Sequence, residues 1–114
     1  MIEKLIARAF KIRNVAHVKH WKTNSYAQHK ALGHFYEDLV ESLDKYVEAY
    51  QGTYGLMGDM PEDVPNIVKV LRDELIWLNE NREKVACDIP ALENIIDEMT
   101  ANYMKTLYKL ENLR

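Results

Sequence analysis

Cysteine, proline and glycine are scarce in this chain of 114 residues, and each scarcity removes a class of protein. The single cysteine, Cys87, rules out an intrachain disulfide framework and any cysteine-built metal knuckle, and it reads as a small apolar residue near a helix end. Three prolines and four glycines are too few for a low-complexity or collagen-like segment. No apolar run approaches the ~20 residues that a membrane span needs. The opening MIEKLIARAFKIR is too charged and too periodic for a signal-peptide core, so the expected location is the cytoplasm, away from membranes. The phosphate-cradling patterns G-x-x-x-x-G-K and G-x-G-x-x-G are missing, as is any serine or cysteine elbow that would present a nucleophile.

What remains is an ordinary globular composition, 47% hydrophobic and 29% charged, in a chain long enough for one domain spanning 1–114. The net charge of −3 conceals an uneven distribution. Residues 1–30 carry seven basic side chains against Glu3, a local charge of +6, while the other 84 residues carry 8 basic and 17 acidic groups, or −9. A basic first segment suits nucleic acid, or an acidic helix of the same or a neighbouring chain. The second is favoured over DNA, because the cations are spread along the segment and no flexible lysine-rich tail is present.

Apolar residues recur at helical spacing through Ile2, Leu5, Ile6, Ala9, Ile12, Val15 and Ala16, which predicts a first helix over 2–21. Thr23, Asn24 and Ser25 are candidate caps for a second helix running to about Gln51 and stopped by Gly52. Its apolar lines are His29, Tyr36, Leu43 and Tyr50, then Leu32, Leu39 and Tyr46, widened by Gly33, Val40 and Val47; a stripe this broad is that of a helix inside a bundle. GTYGLMGDMPEDVP is the one stretch rich in glycine and proline and so a surface connection. A third helix is predicted from about Asp63 to Lys84, with Ile67, Val68, Leu71, Leu75 and Leu78 inward. A fourth, started by Asp88 and Pro90, is predicted to reach Leu113, with Leu92, Ile95, Ile96, Met99, Tyr103, Leu107 and Leu110 inward. Glu93, Asp97 and Glu98 near its start and Lys105, Lys109 and Arg114 near its end suit the helix dipole. Short links join the first pair and the last pair, so the expected fold is all-α: an antiparallel four-helix bundle with a longer connection between helices 2 and 3.

Histidine and carboxylate are left to carry chemistry. His17 and His20 stand one turn apart on helix 1. Glu37, Glu41, Asp44 and Glu48 follow one another on helix 2 at steps of four, three and four, an acidic row that is either a solvated face or the seat of a cation or a basic partner. His29 and Asp44 are 15 residues apart on one helix, hence about 22 Å along its axis, and cannot share an ion within one chain. A metal site using both would join two subunits, helix 2 of one facing helix 2 of the other across a twofold axis.

The run His20-Trp21, Tyr26, His29, Tyr36, Asp44 and Glu48 resembles the signature of the Dps ferritins: His-Trp, an aromatic, His, Asp, Tyr, then Asp and Glu one turn apart. The spacing agrees from His29 onward. The resemblance implies a ferritin-like bundle and an intersubunit ferroxidase site with metal ligands His20, His29, Asp44 and Glu48, flanked by Trp21 and Tyr36. It implies a homodimer or larger oligomer, up to a dodecamer, and oxidation of Fe(II) by peroxide or oxygen. The imidazole and carboxylate donors equally suit Mn(II) or Zn(II), so iron comes from the resemblance.

The chain departs from that pattern in several places. Gly33 stands where the family has its helix 2 Asp, and Glu37, a turn further on, is the candidate substitute. The link before His29 is three residues shorter than usual, which leaves His17 and His20 as alternatives for the first ligand. The short helix of the middle connection and the lysine-rich tail are reduced or missing. The alternative expectation is therefore a non-catalytic ferritin-like bundle that has lost metal and serves as a structural or interaction module.

Overall fold

The computed structural model describes residues 1–113. Among them are four α-helices and no strand: α1 Ile2–Lys22, α2 Tyr26–Tyr54, α3 Ile67–Ala86 and α4 Pro90–Asn112. The all-α expectation holds, and the helices pack in sequence pairs within two compact units, Met1–Asp63 and Val64–Arg114.

In the first unit α2 turns back along α1. Of the three candidate caps Ser25 takes the role, its Oγ accepting the Gln28 N–H at 3.2 Å, while Thr23 closes α1 by donating its N–H to the Lys19 carbonyl. α2 runs through Gly52 and ends at Gly55, whose φ of +87° suits a residue without a Cβ; Gly52 sits in the last turn and does not stop the helix. The core is Ile2, Ile6, Ala9 and Leu43, with Leu39, Val47 and Tyr50 packed on it. Burying an aliphatic side chain of this size contributes about 1.5–3 kcal/mol. Met57 and Met60 from the segment after α2 also lie on the cluster, and the Glu3 carboxylate accepts the Gly58 N–H at 3.2 Å. Backbone N–H groups, its own first and then that of Gly58, hold the Glu3 carboxyl below the usual carboxylate range.

The second unit is the α3–α4 hairpin. α3 starts at Ile67 rather than near Asp63, because Pro65 disfavours a helical residue before it and Asn66 caps the helix, its Oδ1 accepting the Lys69 N–H at 3.1 Å. The turn holds two consecutive left-handed residues, Cys87 (φ 53°) and Asp88 (φ 58°). Asp88 therefore does not cap α4: Ile89 precedes Pro90 and offers no side-chain cap. Cys87 is exposed and shapes the turn instead of packing. Leu78 and Ala86 are the buried residues of this unit, and α4 has none. Ile96, Tyr103 and Leu107 are half-buried, whereas Leu92, Ile95, Met99 and Leu110 of the expected stripe, and Ile67 of α3, are exposed. Guanidinium–carboxylate pairs cross between the helices. Arg82 Nε and Nη2 donate to both Asp97 oxygens at 2.7 and 2.9 Å, with Glu93 at 3.6 Å, and Arg72 pairs with Glu111. Glu93 and Lys109 complement the α4 dipole as expected; Arg114 lies outside the described residues.

Candidate functional site

The last turn of α1 and the first turns of α2 meet beside the three-residue link, and most of the chain's histidines gather there. His20 and His29 stack face to face, ring centroids 3.7 Å apart and planes 17° from parallel. Each ring reaches the other residue's backbone: His20 Nδ1 donates to the His29 carbonyl at 2.6 Å, and His29 Nδ1 donates to the His20 carbonyl at 2.8 Å. A carbonyl only accepts, so both Nδ1 atoms carry protons, and in the neutral rings both Nε2 lone pairs are left free. The His20 carbonyl belongs to the final turn of α1, where it lacks an intrahelical partner, and the His29 ring supplies one.

Gly33 explains how the rings fit. A Cβ there would stand 3.1 Å from His20 Cε1 and 3.4 Å from Nδ1, so the glycine in the middle of a long helix makes room for the imidazole. The position at which the Dps pattern has an aspartate is thus packed by His20.

His17, one turn earlier, has different neighbours. Its ring stacks on Tyr36 (4.1 Å, 30°) and leans on Trp21 (4.2 Å), with the Arg13 guanidinium 5.5 Å over the same tyrosine. Partial withdrawal from water, then the nearby Arg13 and His20, lower its pKa and favour the neutral ring. Trp21 covers His17 and remains largely exposed. Between the two alternatives for partnering His29, His20 is the one in place, and His17 belongs to the aromatic cluster.

The carboxylates are not brought to this cluster. Glu37, Glu41, Asp44 and Glu48 are exposed along the outer face of α2, and among the described residues only Glu41 of the four is paired, with Lys45 at 3.4 Å. Among the described residues no three His, Cys, Asp or Glu side chains gather where one ion could touch them. One chain thus presents two oriented imidazoles and, separately, a row of carboxylates. Sequence reasoning missed the packing of His20 on Gly33. Its signal was available, because a glycine at mid-helix costs about 1 kcal/mol against alanine and so marks a close approach.

These features define an all-helical protein built from two hairpins, with a histidine cluster at the closed end of the first. The chain belongs to the Family of unknown function (DUF5856), whose pattern matches residues 20–110, from His20 to near the end of α4. It is similar to the uncharacterized 14.6 kDa protein in the mobD-ri intergenic region of Enterobacteria phage T4, 26% identical over 98 residues that cover 82% of this chain and 75% of that protein. No solved structure matches the chain. Among the described residues no helix is long and apolar enough to cross a membrane.

Proposed function

We propose that the chain is an antiparallel, ferritin-like bundle that binds Fe(II) between two copies, as Dps proteins do. His20 and His29 of one copy would supply nitrogen ligands, and Asp44 and Glu48 of the other would supply oxygens. The observation that carries this reading is the reciprocal Nδ1–carbonyl pairing of His20 and His29. A metal-ligating histidine commonly anchors one ring nitrogen on a carbonyl or carboxylate, which fixes the tautomer and aims the other nitrogen's lone pair at the ion. Each ring thereby offers one nitrogen to a metal. Asp44 and Glu48 lie too far along α2 from His29 to complete the site within one chain, so their use requires a second copy.

Iron would be the substrate, drawn toward the acidic row on α2. Two Fe(II) each give one electron to a peroxide, which takes up two protons and leaves as two waters; the protein supplies position and charge. Mn(II) and Zn(II) suit the same donors.

A second reading has its own observation. The His20 ring fills the space over Gly33 where the Dps pattern places a carboxylate, which supports a metal-free bundle acting as a structural or interaction module.

Anaerobic Fe(II) titration coupled to light scattering separates the two. Metal binding predicts an oligomer holding about one or two Fe(II) per chain, and its loss in Asp44→Ala/Glu48→Ala and in His29→Ala. A wild-type protein that takes up no Fe(II), Mn(II) or Zn(II) would defeat the first reading and leave the second.

A further inference from the structure

The cations of α1 form a row as ordered as the acidic row of α2. Lys4, Arg8, Lys11, Lys19 and Lys22 fall at steps of four and three, with Val15 filling the one vacant step, so they share one line on an unbroken helix. All five are exposed, and among the described residues none is paired with a carboxylate. On α2, Glu37, Asp44 and Glu48 are likewise unpaired among the described residues. The row lies well around α1 from its buried line of Ile2, Ile6, Ala9 and Ala16, and the acidic row lies well around α2 from Leu43, so both face outward.

We infer that a second copy of this chain docks here, the acidic row of one lying along the basic row of the other. The inference goes beyond the metal reading above: it needs two copies but no ion, and it sets Asp44 and Glu48 beside lysines instead of beside the His20–His29 pair. Like charges along one helix repel, and each row is relieved by the sign that the other carries. The lengths also suit. The basic row spans 18 residues, about 27 Å, and the acidic row spans 11, about 17 Å, so the shorter fits within the longer. Exposed Ile12 and Val15 add apolar contact beside Lys11 and Lys19, where Ala16 and Leu32 complete a shallow apolar groove. Phosphates of a nucleic acid would match the basic row alone; only a second copy answers both rows.

The test is sedimentation equilibrium in chelator, with salt raised from about 20 to about 500 mM, a range over which the screening length falls from longer than a helix is wide to a few ångströms. The wild type should associate at low salt, with an association constant at least about tenfold weaker at high salt. Lys11→Glu/Lys19→Glu and Glu37→Lys/Glu41→Lys should each be monomeric alone and form a complex when mixed in equal amounts. Circular dichroism checks that both keep wild-type helix content; if either does not, Lys11→Gln/Lys19→Gln replaces it and should weaken association by a smaller factor. A wild type monomeric at low salt, association unchanged in either variant, or a mixture that stays monomeric would overturn the inference, as would duplex DNA bound by the wild type without self-association. Chelator keeps metal out of every reading, so a protein that pairs by charge yet takes up no iron supports this inference and defeats only the metal site.

Discussion

The two hairpins are held by different means. In α1–α2 a cluster of Ile2, Ile6, Ala9 and Leu43 lies toward one end and the stacked imidazoles lie at the other, with Glu3 holding the following segment through Gly58. In α3–α4 the buried residues are Leu78 and Ala86, α4 has only half-buried apolar groups such as Ile96, Tyr103 and Leu107, and ion pairs cross between the helices: Arg82 with Asp97 and Glu93, Arg72 with Glu111. Exposed ion pairs of that kind give register more than stability, because water and salt screen them. The second hairpin is thus the one with a single large fully buried side chain, Leu78. The first can hold a polar cluster in fixed geometry because apolar packing elsewhere stabilises it.

Leu78→Ala breaks the comparison most directly. Leu78 is 4% exposed and the one large buried side chain of its hairpin, so the substitution should cost about 2–4 kcal/mol. Hydrogen exchange followed residue by residue should show faster opening of α3 and α4 above all. Leu43→Ala in the first hairpin shares its loss with half-buried Leu39, Val47 and Tyr50, which can close around the gap, and should fall at the lower end of that range. Equal acceleration of exchange in all four helices by Leu78→Ala would refute the division.

A finer contrast lies within α2. Gly52 has open space where a Cβ would go, so Gly52→Ala should stabilise by about 0.5–1 kcal/mol through helix propensity alone. Gly33→Ala gains the same propensity term but must displace the His20 ring, so it should give less or turn unfavourable, and the protection of the His20 Nδ1 proton that its hydrogen bond should confer in the wild type, read by NMR, should be lost. Equal gains at the two positions would mean that the ring does not need the glycine.

Much of this was legible in the residues. Periodicity gave four helices and their pairing by short links, since those depend on contacts close in sequence. The helix ends are less legible. Gly52 was the nearer stop signal, but Gly55 is where a positive φ is required; Asp88 looked like a cap and is a left-handed turn residue. The apolar stripes are only partly buried in both halves: Leu5, Ile12 and Val15 of α1 and Tyr46 of α2 are exposed. The stripe of α4 is periodic, yet a single neighbour, α3, covers only part of it, and Ile95 is 53% exposed. At the candidate site, the types and spacing of His20, His29, Asp44 and Glu48 were readable. The reciprocal imidazole clasp was not, because it depends on ring rotation and on which backbone carbonyl has no helical partner.

The smallest effect tests the ionic half of the comparison by pH. The hydrogen-bonded Arg82 guanidinium holds the Asp97 carboxyl below its ordinary value of 3.8, and Asp97 in turn raises the pKa of Arg82. A carboxyl whose folded pKa is depressed binds protons more readily when unfolded. Its contribution is therefore present above about pH 4 and is lost as pH falls through the lowered folded value. Arg82→Met should abolish that contribution, so α3–α4 becomes less stable at neutral pH and its stability varies less with pH on the acid side. NMR titration should find the Asp97 carboxyl returned toward its ordinary range. The α1–α2 hairpin should keep its own acid dependence, because Glu3 is held low by backbone N–H groups that the substitution does not touch. Added salt should mimic Arg82→Met in the second hairpin and weaken the Glu3 contacts less, screening the Met1 ammonium 3.7 Å away more than the backbone hydrogen bond from Gly58. If salt and Arg82→Met altered both hairpins alike, the distinction between an ionic seam and a packed one would fail.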